Sequence, residues 1–174
     1  MSAAEQRPAK RIAVSGILAA FCLLTLYLAT LLPTNRIFFY GLSSVFGAVI
    51  IIEHNVRGGV LFYIATSLLA LILIPHKLRL IPYIFILGHY PIWKTYIERL
   101  NHPGKELLLK LLVLDLGTFA AYYVFTKLFF MNITLPIDLR LAFLVLQPVF
   151  LIYDYVFTLF INFYLQNIRP HLND

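Results

Sequence analysis

Long apolar runs that no charge interrupts decide what this chain can fold into. Residues 12–32 make 21 such positions in a row, ending at Pro33. About 20 apolar residues at ~1.5 Å each span the hydrocarbon core of a bilayer. The run is longer than the apolar core of about 7–15 residues in a cleaved secretory leader, so a retained first span is expected. Residues 37–52 and 60–74 repeat the theme without a charge. Only 13% of the 174 residues are charged, 61% are hydrophobic and the mean hydropathy is +0.84. A water-soluble domain carries roughly 25% charge, so lipid is the solvent this composition fits. A single cysteine, Cys22, gives no disulfide and no metal-ligand spacing. The net charge of +6 follows from basic residues in the loops between runs and does not point to nucleic acid.

The turns fall where breakers cluster. Thr34, Asn35 and Arg36 close the first connection; Glu53-His54-Asn55 with Arg57-Gly58-Gly59 make the second. Pro75, His76, Lys77 and Arg79 make the third, and Asn101-His102-Pro103-Gly104 the fourth. The fourth apolar run, 80–93, contains Pro91, which should kink its helix and free a carbonyl about one turn earlier, close to His89. Residues 105–131 and 139–168 read as the last two helices, separated by a loop at 132–138. The expectation is an all-α polytopic bundle of about six transmembrane helices. It comprises a tail at 1–11, one membrane domain at 12–168 and a second tail at 169–174. Nine basic residues on the terminal side against five on the other favour cytoplasmic termini in a cell membrane, with a bacterial source expected.

Three ionisable groups interrupt the later runs: His89, Asp115 and Asp154. Counted from the nearest helix ends they lie about 15, 15 and 21 Å deep. An ionisable group at that depth costs roughly 2.5–3.5 kcal/mol on insertion scales unless it is paired or faces a cavity. Thr118, Tyr122 and Thr126 share the face of Asp115; Gln147, Thr158 and Asn162 share the face of Asp154. The candidate ligand-binding set is therefore His89, Asp115, Tyr122, Gln147, Asp154 and Thr158. Three readings stay open: a buried cluster that fixes helix rotation, a proton or cation path, and a solute cavity. No nucleophile elbow, paired cysteines or phosphate-binding glycine loop is present, so no enzyme activity and no cofactor is expected. An acid–base role for His89 is the enzymatic alternative.

The first helix carries small residues at helical spacing. Ser15, Ala19, Cys22 and Ala29 share one face, and Gly16 and Ala20 make a second pair. Such faces let helices approach closely, within one chain or between subunits. With the basic opening KRIAVSGILAA, six spans and short loops, the plan resembles the substrate-binding S components of energy-coupling factor (ECF) transporters. The resemblance implies a small-solute (vitamin or metabolite) binding subunit with cytoplasmic termini. It implies docking of a transmembrane coupling subunit with its ATPases on Ser15, Gly16, Ala19 and Ala20. It also directs attention to Asn35, Arg36, His76, Asn132 and Asp138 near the external side. The family's metal-binding branch uses an N-terminal histidine, which is missing here, so no metal is implied. A non-catalytic membrane scaffold or assembly protein is the alternative from a different class.

Overall fold

The computed structural model describes residues 3–128 and 139–172. The chain is an all-α transmembrane helical bundle with six α-helices of eight residues or more and, among the described residues, no strand. They are α1 (Ala3–Leu31), α2 (Arg36–His54), α3 (Val56–Leu73), α4 (Tyr90–Ile97), α5 (Pro103–Tyr123) and α6 (Leu139–Phe163), followed by a single turn, α7 (Arg169–Leu172). Five helical stretches among the described residues are long and apolar enough to cross a membrane. Their outward side chains confirm the solvent: Ile12, Ile72, Leu144 and Ile152 are 65–76% exposed. Apolar exposure repeated along every span would be an aggregation hazard in water and is the ordinary surface in lipid. The protein is an integral, multi-pass membrane protein.

The chain divides into two compact units, 1–96 and 97–174. In the first, α1, α2 and α3 pack around Cys22, Leu26 and Ala29 from α1, Tyr40 and Ile50 from α2, and Phe62 and Ala70 from α3. Helices in lipid gain nothing from leaving water, so close packing of small residues must hold them. Ser43, Ser44 and Thr66 supply it: all three are buried, and each hydroxyl donates to a carbonyl three or four residues earlier in its own helix. The α2–α3 connection is the single residue Asn55, with φ at 88°, whose side chain accepts from the Gly58 amide. A β-carbon on Gly59 would fall 2.3 Å from Ile51, so glycine is required for the two helices to turn this sharply.

The fourth run departs from a regular span. It is built as a 3₁₀ turn (Lys77–Leu80), a π turn (Tyr83–Leu87), a bend at Gly88 and His89, and then α4. Pro91 explains the break, since it has no N–H to give and its ring crowds the carbonyl one turn before. Broken helices survive at membrane depth only where protein surrounds the freed backbone groups. Leu80, Ile81, Tyr83 and Tyr90 are all 4% exposed or less, which meets that condition. Tyr83 ties the segment into the unit: its hydroxyl shares a hydrogen bond with Thr66 at 2.9 Å and lies 3.6 Å from the Cys22 sulfur.

In the second unit, Asn101 takes a left-handed turn and Pro103 opens α5. The Glu106 carboxylate accepts from the His102 amide at 3.0 Å, capping the first turn. A π turn (Val124–Leu128) extends α5, and another (Tyr164–Ile168) extends α6. Together α5 and its π turn cover 103–128 of the run expected at 105–131, whose last residues, with the loop expected at 132–138, lie outside the described residues; α6 and its π turn cover 139–168.

Candidate functional site

The second unit holds two polar features, and both are built from carboxylates in apolar helices. The first is an ion network. Lys110 of α5 donates to Asp154 Oδ2 of α6 at 2.8 Å and to Glu98 Oε1 at 2.9 Å. The lysine side chain is 9% exposed and that of Asp154 14%, while Glu98 at 38% reaches outward. A buried ammonium between two carboxylates has the charge compensation that depth demands. Thr158 donates to the Asp154 main-chain carbonyl at 2.8 Å and so spends its hydroxyl inside its own helix. Asn162 is exposed.

The second feature is a groove of 610 Å³ between α5 and α6. Leu108, Leu111, Leu112, Leu116 and Phe119 form one wall, with Phe143 and Gln147 on the other. Asp115 sits in it, midway along the 25-residue span Pro103–Lys127. Its Oδ1 is buried and finds no hydrogen-bond donor among the described residues. Pro148 follows Gln147 inside α6 and withholds the N–H that the Leu144 carbonyl would otherwise receive. The groove thus presents one unpaired carboxylate oxygen and one amide side chain to an otherwise hydrocarbon surface. Tyr122 is 37% exposed on α5, and its carbonyl accepts from Thr126. Thr118 likewise donates to Leu114. The polar face of α5 beyond Asp115 is therefore largely satisfied by its own backbone.

His89 belongs to the first unit. Its Nε2 bonds the Phe85 carbonyl at 2.7 Å, one turn before, where the helix is broken. The ring meets Tyr63 edge-on at 5.9 Å, and Nδ1 is buried without a partner among the described residues. The small face of α1 is divided. Ser15 hydrogen-bonds His54 at 3.3 Å, Ala19 packs against the core, and Cys22 and Ala29 are fully buried, so this face serves packing within the unit. Gly16 and Ala20 are exposed, and nothing lies within 4 Å of a β-carbon on Gly16. Asn35 and Arg36 stand at the start of α2 and His76 in the turn after α3; Asn132 and Asp138 lie outside the described residues.

Sequence reasoning missed Lys110, which was counted among loop bases on the terminal side. The signal was there: a lone lysine inside LLLKLLVLDL is as costly in lipid as the aspartate that follows it. Lys94, counted the same way, is 1% exposed. No group of three His, Cys, Asp or Glu side chains suited to a metal ion occurs among the described residues. No family model matches the chain, and neither a curated protein nor a solved structure does.

Proposed function

We propose that this membrane protein binds a small, largely apolar solute in the α5–α6 groove, through a hydrogen-bond donor or cationic group that meets Asp115. The observation that carries this reading is the buried, unpartnered Oδ1 of Asp115 in a leucine-lined groove. A buried carboxylate oxygen at mid-span with no donor among the described residues is a cost to the fold, and intramembrane groups of this kind by default mark a functional site. The volume falls within the roughly 300–1,000 Å³ typical of small-molecule pockets. Gln147 on the facing helix offers both a donor and an acceptor to orient the solute. A role as the solute-binding subunit of a transporter like the ECF S components extends the proposal. It is supported by the uncovered Gly16–Ala20 pair on α1, free for a coupling subunit. Cytoplasmic termini in a bacterial cell membrane belong to the same reading, and they require the broken segment 77–100 to cross.

Native mass spectrometry of protein purified from its own membranes tests the site. Wild type should retain a small molecule, and Asp115→Asn and Gln147→Leu proteins of normal fold should lose it. Equal retention in all three would contradict the proposal. Failure to co-purify ATPase-driven coupling subunits would remove only the transporter extension.

The scaffold reading has one observation in its favour. The Glu98–Lys110–Asp154 network is self-satisfied, as a group that only fixes helix rotation would be. It accounts for Asp154 and leaves Asp115 without a reason.

A further inference from the structure

The end of the first unit formed by the α1–α2 and α3–Lys77 connections gathers basic side chains. Arg36 opens α2, and Tyr40 follows on the same face one turn later. The Tyr40 hydroxyl donates to the Arg79 carbonyl, and the Arg79 guanidinium donates to the Thr30 carbonyl at the end of α1. With Arg36 one turn before Tyr40 on α2 and the Tyr40 hydroxyl on the Arg79 carbonyl, the two arginines lie at the same end of the unit. His76 and Lys77 are exposed in the turn just before Arg79. Arg36 Nε is buried and has no partner among the described residues. The acidic residues of this unit, Glu5 and Glu53, belong to the opposite ends of α1 and α2. Among the described residues, then, no carboxylate of this unit neutralises the cluster. Asn35 makes no side-chain cap, so the first amides of α2 also remain open toward an anion.

The adjoining ends of α1, α2 and α3 expose large apolar side chains. Leu31, Ile37, Phe38, Ile72 and Leu73 are 54–76% exposed beside the basic residues. A free phosphate or carboxylate solute would need only the charges. A ligand that uses both the charges and the adjoining hydrocarbon surface is a phospholipid. We propose that this corner binds the phosphate headgroup of an anionic phospholipid, with its acyl chains along α1, α2 and α3. Arg36 contributes a planar donor set matched to phosphate oxygens, Lys77 adds a mobile point charge, and Arg79 is held in place by Thr30 and Tyr40.

Full-length protein in micelles containing equal phosphatidylglycerol and phosphatidylcholine provides the test, with retained lipid read by native mass spectrometry. Wild type should hold phosphatidylglycerol in clear preference. Arg36→Gln/Lys77→Gln should lower that preference at least fivefold, roughly the factor carried by one basic residue at an anionic surface. Among the described residues neither side chain makes a hydrogen bond or ion pair, and Lys77→Gln alone, at an exposed position, should lower it partway. Arg57→Gln, on an exposed residue at the other end of the unit, should leave it unchanged. Three results would overturn the proposal: no preference in wild type, an equal loss in Arg57→Gln, or displacement of the lipid by glycerol phosphate at matched concentration. The last would identify the free anion as the ligand.

Discussion

Asp115 and Asp154 look alike in the sequence, each a single carboxylate in an apolar run, yet the structure gives them different partners. Asp154 is the more buried of the two carboxylates on Lys110, so its removal leaves the buried ammonium to Glu98 alone, which is 38% exposed. Leaving a buried charge wholly uncompensated costs about 3–5 kcal/mol, and with Glu98 still in place the loss should be a part of that, whereas replacing both members by apolar residues is often neutral. Asp154→Leu should therefore unfold below wild type in a detergent melt, and Lys110→Met should rescue it in the double variant. Asp154→Leu without a loss of stability would mean that the pair is not formed. The sequence could not separate the two aspartates, because the decisive residue is Lys110 on another helix and pairing across helices depends on rotation and stagger. It was legible that both needed a partner or a cavity. Tyr122 and Thr158 were singled out by face alone, and face does not say that a helix can satisfy its own threonines, as Thr118, Thr126 and Thr158 show.

The element most shaped by its breakers is the segment from Lys77 to Leu100. Its apolarity, its proline and the closeness of a freed carbonyl to His89 were all readable from the residues. The π turn and the exact place of the bend were not, since Pro91 requires a break but the contacts of Tyr83 with Thr66 and of His89 with Tyr63 accompany the form it takes. Gly88 shows the tightness. A β-carbon there would lie 2.7 Å from the Tyr83 carbonyl oxygen and 2.9 Å from the Tyr63 ring. Gly88→Ala should destabilise by about 1–3 kcal/mol through overpacking. His89→Leu should cost a similar amount, about 1–3 kcal/mol, by leaving the Phe85 carbonyl unpaired, and His89→Gln should recover part of it by restoring a donor. Thermal unfolding of the purified variants measures all three; a His89→Leu protein as stable as wild type would show that the Phe85 bond contributes nothing.

For the whole molecule, the membrane setting was the most legible property, because composition and run length alone require it. The sidedness was less so. Lys94 and Lys110 prove to be buried, which leaves seven loop bases against five and weakens the bias that orients the chain. What decides topology is whether the broken segment crosses. Between Lys77 and Leu100 there is enough chain to do so, at ~1.5 Å per helical residue. Single cysteines replacing His76 and His102, both exposed, in a Cys22→Ser background should react with an impermeant thiol reagent from opposite sides of the membrane. Of the two, only the cysteine at 76 should label in intact cells if the termini are cytoplasmic. Labelling of both from one side would leave five crossings and put the termini on opposite faces.

The solute site stands or falls on whether Asp115 is a cost that the fold carries. The melting temperature of Asp115→Leu, compared with wild type in ligand-free detergent, measures that cost directly. With no donor on Oδ1 among the described residues and a leucine-lined surround, the account predicts a variant at least as stable as wild type. A drop of several degrees, comparable to that of Asp154→Leu, would show that Asp115 has a structural partner and contradict its assignment to a binding groove.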